Sequence, residues 1–160
     1  MWKKKLSAAV GGLENIGFVK DGGELLTLSS QGIGVIDCDS GKLLYRSKAE
    51  WWPLFDQTSN TLTNIPGYSS SPVEIFGLHS EVKMGTKTDD SWELVASEPE
   101  PDDPPFEQHL VSKIYLADSR GNRTLLAIDG PCELRVFGFS QTGNILVVAT
   151  SCEIIVWSRE

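Results

Sequence analysis

Apolar residues in this chain fall in short runs, each cut by a polar or glycine-bearing turn, and no stretch keeps the 3.6-residue period of an amphipathic helix. Leu13–Val19 runs into Lys20-Asp21-Gly22-Gly23, whose Asp-Gly pair supplies the positive φ that a tight hairpin needs. Glu24–Ser29, Ile33–Cys38 and Lys42–Arg46 follow, separated by Gln31-Gly32 and by Asp39-Ser40-Gly41. These runs are rich in β-branched and aliphatic residues and too short for helices, so they predict four consecutive strands. Near the other end, Leu134–Phe139, Asn144–Thr150 and Glu153–Ser158 predict three more. Weaker signals lie at Val73–Leu78, Trp92–Ala96, His109–Ser112, Lys113–Asp118 and Thr124–Ile128. Residues 51–72 and 97–108 are rich in Pro, Ser, Asn and acids and predict long loops.

The strong runs repeat. Phe18 to Asp37 recurs without a gap as Phe139 to Ser158, an offset of 121 residues, and Ile33–Leu44 resembles Ile114–Leu126 at an initial offset of 81. Both offsets are near multiples of about 40 residues, the period of four-stranded propeller blades. The expectation is an all-β, small propeller-like domain spanning residues 1–160 with four degenerate blades. The alternative is three blades with insertions, pairing as a homodimer into a larger ring. The last repeat stops one strand short, and Trp2–Ser7 has the length of the missing strand. First and last blades of a ring can share one sheet so that no bare edge remains. Trp2–Ser7 is therefore expected as the outermost strand of the C-terminal blade, with Lys3-Lys4-Lys5 on a solvent-facing edge.

Phe139–Ser158 resembles a blade of the WD-repeat family: an aromatic residue closes the inner strand, a glycine turn follows, and Leu146-Val-Val-Ala149 leads to Ile154-Ile-Val-Trp157. Trp157-Ser158 stands where that family has its Trp-Asp pair, and Ile36-Asp37 and Ala117-Asp118 stand there in the other copies. The family's Gly-His pair ahead of the inner strand is missing, as is its Asp between the second and third strands. Stability would then rest on apolar packing between blades. The resemblance implies docking surfaces on the loop-bearing faces and central channel, with catalysis a minority use.

Composition narrows the partners. The 160 residues carry a net charge of −8, which disfavours nucleic acid as a ligand and suits a basic partner. No run reaches the roughly 18 apolar residues that span a membrane. The first apolar stretch is broken by Gly11-Gly12 and meets Glu14, which reads poorly as a secretion signal. Cys38, Cys132 and Cys152 form no CxxC pair, and their odd number fits reduced thiols in a cytoplasmic protein.

Candidate chemistry is sparse. Gly32-Ile33-Gly34 lacks the third glycine and the helix of a dinucleotide loop. His79 and His109 are the only histidines and have no partner at ligand spacing, so neither a metal nor another cofactor is expected. No Gly-x-Ser-x-Gly is present. Two stretches remain. Glu98, Glu100, Asp102, Asp103 and Glu107 alternate with prolines and predict an extended acidic arm with Phe106 as its apolar anchor. Trp51, Trp52, Phe55 and Tyr68 lie in or beside the other long loop, where aromatics serve either as binding hot spots or as plugs between blades. The reading is a non-catalytic protein-binding module, one version being an acidic inhibitor or immunity-type protein that masks a basic partner. The aromatics would supply affinity and the arm on-rate. The enzyme alternative is a hydrolase or lyase using Asp37, Asp118 or His79 in a central channel, whose inner strands offer only Glu14, Asn15 and Arg135. A third is a structural subunit completed by its partner.

Overall fold

A computed structural model of the chain describes residues 1–19, 22–97, 113–128 and 132–160. It is all-β, and among the described residues there is no α-helix. β1 (Trp2–Ala9) finds its partner only at the far end of the chain. β2 (Leu13–Val19), β3 (Glu24–Ser29), β4 (Gly32–Asp37) and β5 (Leu43–Ser47) form an antiparallel meander, the first sheet. β6 (Phe55–Asp56), β7 (Thr61–Leu62) and β8 (Val73–Glu74) form a small second sheet. The chain then changes sheets within one residue, and β9 (Phe76–Gly77) pairs with β2. β10 (Glu93–Ser97), β11 (Lys113–Ala117) and β12 (Arg123–Ile128) make the third sheet. β13 (Leu134–Phe139), β14 (Ile145–Thr150) and β15 (Glu153–Arg159) make the fourth, and β1 completes it antiparallel to β15, with Trp2 opposite Arg159 and Ala9 opposite Glu153. The strand missing from the last repeat is thus supplied from residues 2–9. Its lysines hold the opposite charges nearby: Lys3 lies 3.1 Å from Glu160, and Lys5 lies 3.2 Å from Asp39.

Three apolar clusters join neighbouring sheets. Leu26, Leu28, Ile33 and Val35 of the first sheet meet Leu62, Val73 and Ile75 beside the second. Leu13, Ile16 and Leu25 meet Val147, Ala149, Ile154 and Val156 of the fourth. Leu146, Val148 and Trp157 of the fourth meet Leu94, Ile114 and Leu116 of the third. Successive residues of β3 and β14 therefore point into different clusters, which follows from the two-residue period of a strand. A sheet covered on both faces needs near-continuous apolar runs, and that explains Leu25-Leu26 and Leu146-Val-Val-Ala149. In space the sheets follow the order second, first, fourth, third. Among the described residues no apolar cluster joins the second to the third. Arg159 reinforces the joint between the fourth sheet and the segment entering the third, donating to both carboxylate oxygens of Asp90 at 2.8 and 3.0 Å while lying over the Trp2 ring.

Equivalent positions of the repeat do equivalent work. Gly17 and Gly138, 121 residues apart, each sit under a crossing segment: a Cβ at Gly17 would lie 2.6 Å from the Glu74 carbonyl, and one at Gly138 2.3 Å from the Met84 Cβ. Residues 73–85 thus run along the inner edges of β2 and β13, with the Phe139 N–H donating to the Gly85 carbonyl at 2.8 Å.

One expectation is corrected. Cys132 and Cys152 are joined in a disulfide, their Cα atoms 6.0 Å apart, because the segment entering β13 runs beside the β14–β15 turn. Only Cys38 is a free thiol, and the cytoplasmic expectation loses the support of three reduced cysteines.

Candidate functional site

The site begins with a polar residue in an apolar place. Asn15 lies on β2 between Glu14 and Ile16 and is fully buried, so both ends of its amide need partners. His79 supplies both. The backbone N–H of His79 donates to Asn15 Oδ1 at 2.9 Å, and Asn15 Nδ2 lies 3.0 Å from His79 Nδ1. A backbone N–H can only donate, which fixes the amide orientation and turns the NH₂ toward the ring. His79 Nδ1 therefore accepts, and the proton of the neutral imidazole resides on Nε2. Glu14 Oε2 lies 3.6 Å from the same Nδ1. The chain can hug β2 this closely because residue 77 is a glycine at φ 134°; a Cβ there would meet the Glu14 carbonyl at 2.5 Å. The Leu78 N–H then donates to that carbonyl at 2.9 Å.

Against His79 stand the loop aromatics. Trp51 closes a short 3-10 turn, Trp52–Leu54, in which the Leu54 N–H donates to the Trp51 carbonyl and Pro53 occupies a position that needs no donor. The Trp51 and Trp52 rings meet edge to face with centroids 5.3 Å apart, and the His79 ring lies 5.2 Å from the first and 5.3 Å from the second. Phe55 joins them at 5.9 and 5.8 Å. Edge-to-face rings at this spacing are in contact, so nothing fits between them. Trp51 is 5% exposed and belongs to the core, whereas Trp52 is 49% exposed. Beside Trp52 opens a cavity of about 380 Å³ whose walls include Glu14, Ser29, Ser30, Lys48 and Glu50.

Of the four aromatics singled out in the sequence, three come together. Tyr68 does not: it stacks on Tyr45 at 5.3 Å and packs against the cluster between the first and second sheets. Its role and that of Trp51 is to fill space. Glu98, Glu100, Asp102, Asp103 and Phe106 lie outside the described residues, between β10 and β11 in sequence, as does His109. The sequence reading missed the Asn15–His79 pair and the roles of Lys48 and Glu50. The available signal was Asn15 itself, a group needing partners in a strand otherwise fit for burial.

The other chemical candidates hold turns. The Asp37 carboxylate accepts from the Ser40 hydroxyl and N–H, which keep its pKa below the usual carboxylate range. Asp118, 81 residues on, accepts from the Asn122 side chain and from the N–H groups of Asn122 and Arg120, with the same effect. Asp37 closes the turn between β4 and β5, and Asp118 the turn between β11 and β12. Arg135 of β13 donates to the Leu13 carbonyl at 3.0 Å and pairs with Glu133, tying the fourth sheet to the first. Burial, helped by the charges of Asp37 and Glu24, pushes the Cys38 thiol up to about 12, so it stays protonated at neutral pH. Among the described residues no cluster of His, Cys, Asp and Glu has the makings of a metal site, and no helix is long and apolar enough to cross a membrane.

Comparison of the sequence with models of known protein families and with curated proteins gives no match.

Proposed function

We propose that the four sheets are blades of a propeller-like fold and that the protein is a binding module for a basic protein, which it engages at the face carrying Trp52. One observation carries the reading: an indole left half-exposed while three rings fix its position, beside a cavity that Glu14 and Glu50 help to line. A rigid aromatic anchor loses little conformational entropy on binding, which is why tryptophan dominates hot spots. The net charge of −8, to which the acidic run from Glu98 to Glu107 contributes, would steer a cationic partner toward the protein. An inhibitor that masks a basic protein is the version this chemistry suits best.

The test compares capture of partners from native lysate by the wild-type protein, by Trp52→Ala, and by a variant with Glu98, Glu100, Asp102 and Asp103 made Gln or Asn. Trp52→Ala should lower affinity for the captured partner by tenfold or more, about 1.4 kcal/mol, with an unchanged melting temperature. The neutralised arm should slow association and weaken its salt dependence while leaving dissociation nearly unchanged. Undiminished capture by Trp52→Ala would remove this face from the account.

A further inference from the structure

We infer that the cavity beside Trp52 receives a guanidinium group, the side chain of an arginine on the partner. This rests on the protein-binding reading above and names the group that enters the site.

Three features select that chemistry. The first is the spacing of the rings. A cage that surrounds a quaternary or methylated ammonium needs aromatic faces held apart around the cation. Here Trp51, Trp52 and His79 touch each other at 5.2–5.3 Å between centroids. A ligand can therefore lie only against the outer surface of the half-exposed Trp52, and a planar cation stacks on such a surface where a compact ammonium cannot. The second is charge. Glu14 and Glu50 are both among the residues that line the cavity, and carboxylates accept from a guanidinium that presents five N–H donors in a fixed fork. The third is the imidazole. Asn15, buried and fixed by the His79 backbone, donates to Nδ1 and so sets the orientation of the ring behind Trp52. Asn15 is in this sense a positioning residue. Lys48 also lines the cavity, and its positive charge opposes that of the guest.

The test uses the intact protein and three capped tripeptides, acetyl-Gly-X-Gly-amide, with X arginine, lysine or citrulline. Citrulline keeps the planar shape and removes the charge. Binding is read from the Trp52 indole N–H and the His79 ring signals by NMR, up to about 10 mM peptide, the range in which a single side chain binds. The arginine peptide should shift both sets of signals saturably. The lysine peptide should bind several-fold more weakly and citrulline at least tenfold more weakly. Lys48→Gln should tighten the arginine peptide, and Trp52→Ala should abolish its shifts. Long-range ¹⁵N–¹H spectra should place the proton of the neutral His79 ring on Nε2.

Equal binding of citrulline, or arginine shifts that bypass Trp52 and His79, would overturn the inference. So would no shift at all, or a neutral ring with its proton on Nδ1. If Trp52→Ala loses the natural partner while the arginine peptide stays silent, the binding face stands and the guanidinium assignment falls. If Trp52→Ala keeps the natural partner, the reading beneath it falls as well.

Discussion

Adjacent tryptophans show how far two identical side chains can diverge. Trp51 fills the joint between the first and second sheets, so Trp51→Ala should cost about 3–5 kcal/mol in urea unfolding. Trp52→Ala leaves the core intact and should change stability by less than about 1 kcal/mol, its effect appearing in binding instead. Asp37, Asp56, Asp90 and Asp118 share another residue-scale property. Each carboxylate accepts from nearby donors: Ser40, Thr58, Thr88 and Asn122 respectively head the causes that hold its pKa below the ordinary 3.8. A carboxylate whose folded pKa is depressed stabilises fully above its unfolded value, and the contribution fades as pH falls through the folded one. Melting temperature should therefore drop as pH is lowered below about 4, and the double variant Asp37→Asn, Asp118→Asn should show a shallower drop. An equal slope in that variant would mean these turns carry no share of the acid sensitivity.

At the scale of elements, the repeat-equivalent glycines permit the crossing segment 73–85. Gly17→Ala would drive a methyl against the Glu74 carbonyl, and Gly138→Ala against Met84 and the Gly85 carbonyl, so each should destabilise by about 1–3 kcal/mol. Gly85→Ala is the control on the same segment: nothing lies within 4 Å of its would-be Cβ, and unfolding should barely change. The strands flanking these glycines were legible because β2, β3 and β13 carry their own pattern, the apolar runs that a doubly covered sheet requires. β6 to β9 were not. Each is two residues long, and what holds them is burial of Leu62, Val73 and Ile75 against the first sheet. The site was half-legible for the same reason. Aromatics on a loop announce themselves, but the Asn15–His79 pair joins residues 64 apart through a sheet change that no local period encodes.

For the molecule as a whole, the disulfide and the shared sheet set the terms of stability. Cys132 and Cys152 are 20 residues apart, and closing a loop of that length contributes about 3 kcal/mol by restricting the unfolded chain. Reduction, or the pair Cys132→Ser and Cys152→Ser, should lower unfolding free energy by that order and leave circular dichroism unchanged, since the fourth sheet is packed on both faces without it. An unaltered urea midpoint after reduction would show that the loop is already restrained in the unfolded state. The pairing of β1 with β15 has a different consequence, which concerns time. Residues 2–9 are synthesised well before their partner, and the strand they need is made some 150 residues later. The first sheet can assemble while synthesis continues, but the fourth must wait for β15, with β1 idle in the meantime. Its lysine run would then act as a guard, keeping an orphaned strand from recruiting a neighbouring nascent chain before its own mate arrives.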